Sequence, residues 1–175
     1  MKNFSVLLPL VAWSFLMPGI GMAQTAHFER TSLVIRDGTR RTTLEEVVDL
    51  PPISSVVHTV IKRGDNFYVV VGLREWTRGE PQPRGSCGGG QEQYVEWLHV
   101  RAGKIVERQV GLYNSCAQNR EGSVRGWQGG VLLWQGQGVQ YLTTTDYAWT
   151  FDSAHPEAGI TERMTTAAAS TPPPS

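Results

Sequence analysis

Beyond residue 23 the hydrophobic positions never settle into a 3.6-residue period. They come in short runs rich in Val, Ile, Tyr, Trp and Thr, separated by Gly, Asp and Asn. Short runs closed by turn formers predict antiparallel strands joined as hairpins. Residues 28–36 read as a first strand and 40–48 as its partner, because Asp37-Gly38 between them suits the positive φ of a tight turn. Leu50-Pro51-Pro52 ends that element, since proline brings no N–H to a ladder. Residues 55–62 and 67–76 form a second hairpin around Gly64-Asp65-Asn66. Within it the unbroken run Val69-Val70-Val71 marks a central strand buried on both faces.

The next hairpin, 94–100 with 104–112, allows a register to be argued. With Gly103 in the left-handed position of a three-residue loop, Val100 opposes Lys104, Leu98 opposes Val106, Glu96 opposes Arg108 and Tyr94 opposes Val110. Tyr94, Leu98, Val106 and Val110 then share one face, and Glu96 with Arg108 makes an opposite-charge cross-strand pair. Trp97 falls on the other face with Val95 and His99, which leaves one face of the sheet only partly covered.

Glycine and proline mark the rest. Residues 79–90, GEPQPRGSCGGG, read as a long shaped loop, and 122–130 as a second flexible stretch. Residues 131–135 and 139–145 read as a hairpin around Gly136-Gln137-Gly138, followed by an aromatic strand at 147–151 and an edge strand at 160–165. The sum is an all-β chain: a single antiparallel domain of about eight to ten short strands, built as a meander, sandwich or small barrel.

The first residues add a compartment. Lys2, the apolar run 4–17 and the small residues Gly21-Met22-Ala23 form an export signal cleaved after Ala23. This divides the chain into a signal peptide at 1–23, a β domain at 24–165 and a disordered tail of small residues and prolines at 166–175. Both cysteines lie far from the cleavage point, so no lipid anchor is expected, and the expected location is periplasmic or secreted. In an oxidising compartment Cys87 and Cys116 close one disulfide. The bridge would clamp the foot of the 94–112 hairpin to the Gly-rich loop.

Charge narrows the partners. Sixteen basic residues balance sixteen acidic ones, which gives no electrostatic reason to expect nucleic acid. Roughly 150 residues after the signal are enough for one core without a metal. No membrane span is expected after the signal.

Candidate chemistry is sparse. Gly85 to Glu92 is no phosphate loop, because no Gly-Lys-Ser/Thr follows it. His27, His58, His99 and His155 show no metal-ligand spacing, so neither metal nor cofactor is expected. Glu92 and Glu96, two apart on one strand face, are the minimal kit of a glycosidase, outweighed by ion pairing across the ladder. Of the tryptophans, Trp76, Trp97, Trp134 and Trp149 read as packing residues. Trp127, on a Gly-rich loop, reads either as a lid over the core or as an anchor for a partner or a sugar. No residue is assigned a catalytic role.

The expected function is an exported binding protein of the bacterial envelope, such as a periplasmic inhibitor or immunity protein directed at a hydrolase. It would present Arg84, Glu92, Arg125 and Trp127 beside the disulfide to another envelope or secreted protein. The alternative is a carbohydrate or peptidoglycan binding domain using exposed tryptophans. A hydrolase built on Glu92 comes third.

Overall fold

The computed structural model describes residues 24–45, 47–48, 52–76, 90–140 and 143–168. They form β1 (Gln24–Glu29), β2 (Ser32–Asp37), β3 (Arg40–Leu44), β4 (Ser54–Arg63), β5 (Asn66–Trp76), β6 (Gln91–Arg101), β7 (Lys104–Ser115), β8 (Arg120–Gln128), β9 (Val131–Gln140), β10 (Thr143–Asp152) and β11 (Ile160–Ala168). One 3-10 turn, Pro156–Ala158, joins the last two strands. Pairing is antiparallel throughout, in a three-stranded sheet β1-β2-β3 and an eight-stranded sheet that keeps sequence order from β4 to β11. Among the described residues no helix is long and apolar enough to cross a membrane.

The centre is β5 and β6. Alternate side chains on a strand face opposite ways, and here each way meets a different apolar layer. Val69, Val71, Leu73, Leu98 and Val100 pack against Leu33, Ile35, Leu44, Val47 and Val48 from the β1–β3 side. Tyr68, Val70, Val95 and Trp97 pack against Leu132, Trp134, Trp149 and Phe151 from β9 and β10. The architecture is therefore a central sheet covered on both faces by β structure. Val69, Val70 and Val71 are fully buried, as their unbroken apolar run predicts. The partly covered face expected around Trp97 does not exist: Trp97 is fully buried and donates its indole N–H to Pro156 O at 2.9 Å. That bond locks the β10–β11 connection onto β6.

The eight-stranded sheet covers its own centre by turning a corner. β7 and β8 share a single ladder pair, Ser115 with Arg120, after which β8–β11 swing across the face that carries Trp97. Side chains replace the lost backbone pairing: Asn114 Nδ2 donates to Gly122 O at 3.1 Å and Arg120 donates to Leu112 O at 3.1 Å. At the crossing, a Cβ on Gly122 would stand 1.9 Å from Tyr113 O, and one on Gly136 would stand 2.7 Å from the same atom. Only hydrogen at these positions lets the β7 backbone lie on β8 and β9.

Five expectations are corrected here. Residues 28–36 are not one strand: the chain reverses at Arg30-Thr31, with Arg30 at φ 59°, and makes β1 and β2. The strand expected over 40–48 ends at Leu44, and Val47 reaches the core from outside it through its N–H bond to Thr31 O at 2.9 Å. The stretch expected to be flexible at 122–130 is largely β8, and Gly136-Gln137-Gly138 lies inside β9 rather than at a turn. Glycine there answers the close backbone approach, which is a tertiary demand.

The fifth correction concerns register. β6 and β7 are joined by the two-residue turn Ala102-Gly103, with φ 50° and 75°, so Arg101 pairs with Lys104. Positive φ at both positions matches the twist of a tight hairpin, and Ala102 accepts it. A bulge between His99 and Val100 then sets Leu98 opposite Arg108 and Glu96 opposite Val110. The difference from the expected register at Glu96 is two residues, which preserves the face. Glu96 and Arg108 consequently still meet, diagonally, at 2.6 Å. Val106 and Val110, expected to be covered, are exposed.

Candidate binding face

The face of β8–β11 turned away from the core is a polar groove of about 740 Å³. Its rows follow from the ladder. Glu121 pairs with Gln137, Gln137 with Asp146, and Asp146 with Thr165; one step along, Ser123 pairs with Gln135, Gln135 with Ala148, and Ala148 with Arg163. A bulge between Val124 and Gly126 holds Arg125 beside the second row. The acidic residues thus fall in one row and the basic residues in or beside the next, with strand repeats of about 6.8 Å between them.

The polar side chains of these rows are exposed, and local bonds orient some of them. Gln137 Nε2 donates to Asp146 Oδ1 at 3.0 Å, and Arg125 Nε donates to Gln135 Oε1 at 3.1 Å. Ala148, between Gln135 and Arg163, lowers the floor. The groove therefore offers separated positive and negative ends, with amide and hydroxyl groups available to both donors and acceptors.

The sequence-predicted residues are not gathered at one place. Arg125 lines the groove. Trp127 belongs to β8 rather than to a loop; it pairs with Leu132, and its ring meets the Phe151 ring edge-on at 6.4 Å. It is 45% exposed at the rim of the core layer and is absent from the groove lining. Glu92 is buried on the central sheet, where Oε1 accepts the Ala117 N–H at 3.3 Å. Arg84 and Cys87 lie outside the described residues, and with Cys87 so does the pairing of the two cysteines. Cys116 opens the corner turn directly after Ser115, which pairs with Glu92.

Glu96 is the second notable group. It is 4% exposed, and Oε1 accepts Arg108 at 2.6 Å. The same Arg108 donates to Val47 O at 3.1 Å. Burial pushes the Glu96 carboxyl above its ordinary value against the pull of Arg108, and the nearby Glu75 charge adds to the rise. Among the described residues no group of three His, Cys, Asp or Glu is placed to hold a metal ion. The sequence could not point to this groove, because its members lie on four strands and meet only through the β8–β11 register.

Comparison with known proteins finds no matching family profile, no matching curated protein and no matching solved structure. Function must be argued from the site itself.

Proposed function

We propose that this chain is an exported envelope binding protein whose recognition face is the β8–β11 groove, and that its partner is another envelope or secreted protein, as for a periplasmic inhibitor or immunity protein directed at a hydrolase. The observation that carries the reading is the sorting of charge in the groove, Glu121 and Asp146 in one row and Arg125 and Arg163 beside it. Mixed-sign rows on a rigid sheet suit a protein surface of complementary pattern, where electrostatics supplies specificity and speed of encounter. The signal-like N-terminus supports export. A disulfide between Cys87 and Cys116 belongs to the same reading, supported by the place of Cys116 at the foot of the β6–β7 hairpin.

A sugar platform is less well supported. Such sites present an apolar ring face, whereas Trp127 is engaged with Phe151 and the more exposed Trp76 ends β5 on a different sheet region. The test is capture from envelope and culture fractions by the mature protein and by the Arg125→Glu/Arg163→Glu double variant. One stoichiometric protein retained by the wild type, and lost or weakened at least tenfold by the variant at equal thermal stability, is expected. Retention of wall polysaccharide instead, insensitive to the variant, would sink the proposal.

A further inference from the structure

A second pocket, of about 210 Å³, opens between β8 and the central sheet, where His58 of β4, Arg74 of β5, Gln93 of β6 and Tyr113 of β7 meet Val124 of β8. Val124 pairs with the buried Trp134, so it stands on the core-facing side of its strand. Three β-bulges border the pocket. In β4 the register steps over His58, between Val57 and Thr59; in β7 it steps over Tyr113, because Gln93 pairs with Asn114 and Tyr94 with Leu112; in β8 it steps just after Val124. A bulge re-aims a side chain that a regular ladder would place elsewhere, and here two of the extra residues, His58 and Tyr113, line one cavity. Gly72 leaves the room for this, since a Cβ there would stand 2.8 Å from His58 Nε2. Both polar groups are within reach of a ligand. Among the described residues the sealed side-chain atoms without a partner are Glu96 Oε2 and Trp134 Nε1. The His58 nitrogens and the Tyr113 hydroxyl have no hydrogen-bond partner there either, and are therefore accessible.

The chemistry of the lining selects the ligand. Arg74, oriented by donating its Nε–H to Gln91 Oε1, brings a permanent positive charge, and no Asp or Glu stands among the described lining residues. Burial lowers His58 and so favours its neutral ring; burial raises Tyr113 against the pull of the Arg74 charge, which acts on that hydroxyl. Guanidinium, phenol, amide and neutral imidazole can all donate hydrogen bonds, and one positive charge matches one negative. Val56 and Val124, both exposed, give the cavity apolar walls. Its volume is below that of pockets for drug-sized ligands. We propose that this pocket binds one carboxylate on a short aliphatic stem, with Arg74 and Tyr113 donating to its oxygens and the stem lying against Val56 and Val124. The carboxylate can come from a free monocarboxylic acid or from an acidic side chain of a bound protein; the recognition chemistry is the same. The site is independent of the β8–β11 groove, which occupies the opposite face of β8.

The test titrates butyrate into the mature protein, with n-butanol as the uncharged analogue and inorganic phosphate as the anion without a stem, and follows NMR shifts of the His58 ring and of the Gly72, Gln93 and Val124 amides. Saturable shifts at these residues with butyrate, at least tenfold weaker with butanol and with phosphate, are expected. Arg74→Gln should weaken butyrate binding tenfold or more, and Val56→Trp, a change at an exposed position, should block it while Arg74 is kept. A capped glutamate peptide identifies the source, and either result keeps the assignment: tighter binding than butyrate indicates a protein side chain, and equal or weaker binding a free acid. Absence of saturable shifts at these residues, equal binding of butanol or phosphate, or undiminished binding to a folded Arg74→Gln or Val56→Trp protein would overturn the assignment.

Discussion

At the scale of single residues, the buried Glu96 and the half-buried His58 pull stability in opposite directions with pH. Glu96 has its carboxyl pushed above the ordinary 4.5 chiefly by burial. Above 4.5 the unfolded chain releases this proton while the folded chain retains it, so the Glu96 contribution falls as pH rises through the window up to its folded value. His58 is the reverse: burial lowers it below the ordinary 6.5. Its ring is confined, edge-on to Trp134 at 5.5 Å and above Gly72, where a Cβ would come within 2.8 Å of Nε2. As pH drops below 6.5 the unfolded chain takes up a proton that folded His58 refuses, so stability present above 6.5 is lost on acidification. Urea unfolding of the wild type, Glu96→Gln and His58→Gln across this range separates the two. The Glu96→Gln protein should gain on the wild type as pH rises from 4.5, and the His58→Gln protein should gain on it as pH falls below 6.5. A pH-independent difference for either variant would show that the group does not carry the assigned linkage.

At the scale of elements, the corner between β7 and β8 is the joint on which the second layer depends. Gly122→Ala would drive a methyl into the Tyr113 carbonyl, a backbone atom with nowhere to go. We expect a loss of about 3 kcal/mol or more, at or beyond the top of the ordinary overpacking range. Ser123→Ala, on the exposed side of the same strand, should change stability by less than about 0.5 kcal/mol. Equal, small effects in denaturant unfolding would mean that the crossing is looser than described. The same joint marks the limit of what the chain reveals locally. Strands β4 to β7 were legible because valine and aromatic runs sit between unmistakable turns, and the two-residue register error at Glu96 and Leu98 left the faces of those residues unchanged. Gly122, Gly136 and Gly138 misled, because glycine read along the chain means a turn, whereas here at least two of them make room for a strand distant in sequence. Ala102 misled for a related reason: nothing local announces that a non-glycine residue will take the left-handed conformation. The groove was legible only as the isolated Arg125. Glu96 and Arg108 were legible as a pair, but the burial of the carboxylate was not, since burial is a property of the assembled layers.

At the scale of the whole molecule, three layers depend on few covalent crossings, and the proposed Cys87–Cys116 bridge would add one where it matters. Cys116 begins the turn between the central sheet and the β8–β11 layer, and Gly90, just before β6, is the first described residue after the segment that carries Cys87. A bridge there closes a loop of about 30 residues, which in the chain-entropy picture stabilises by on the order of 3 to 4 kcal/mol. It would also hold the foot of β6 against the start of the corner, so that losing it loosens the central sheet and the groove-bearing layer together. Alkylation of the native, unreduced protein followed by mass measurement should find no reactive thiol, and a non-reducing digest should yield the two cysteine peptides linked. Cys116→Ala, or reduction, should lower the urea midpoint by an amount corresponding to about 3 kcal/mol, with Arg125 and Arg163 amides shifting alongside those of Glu92 and Ser115. Two free thiols, or a midpoint unchanged by reduction, would remove the bridge from the description and leave the corner resting on Gly122, Asn114 and Arg120 alone.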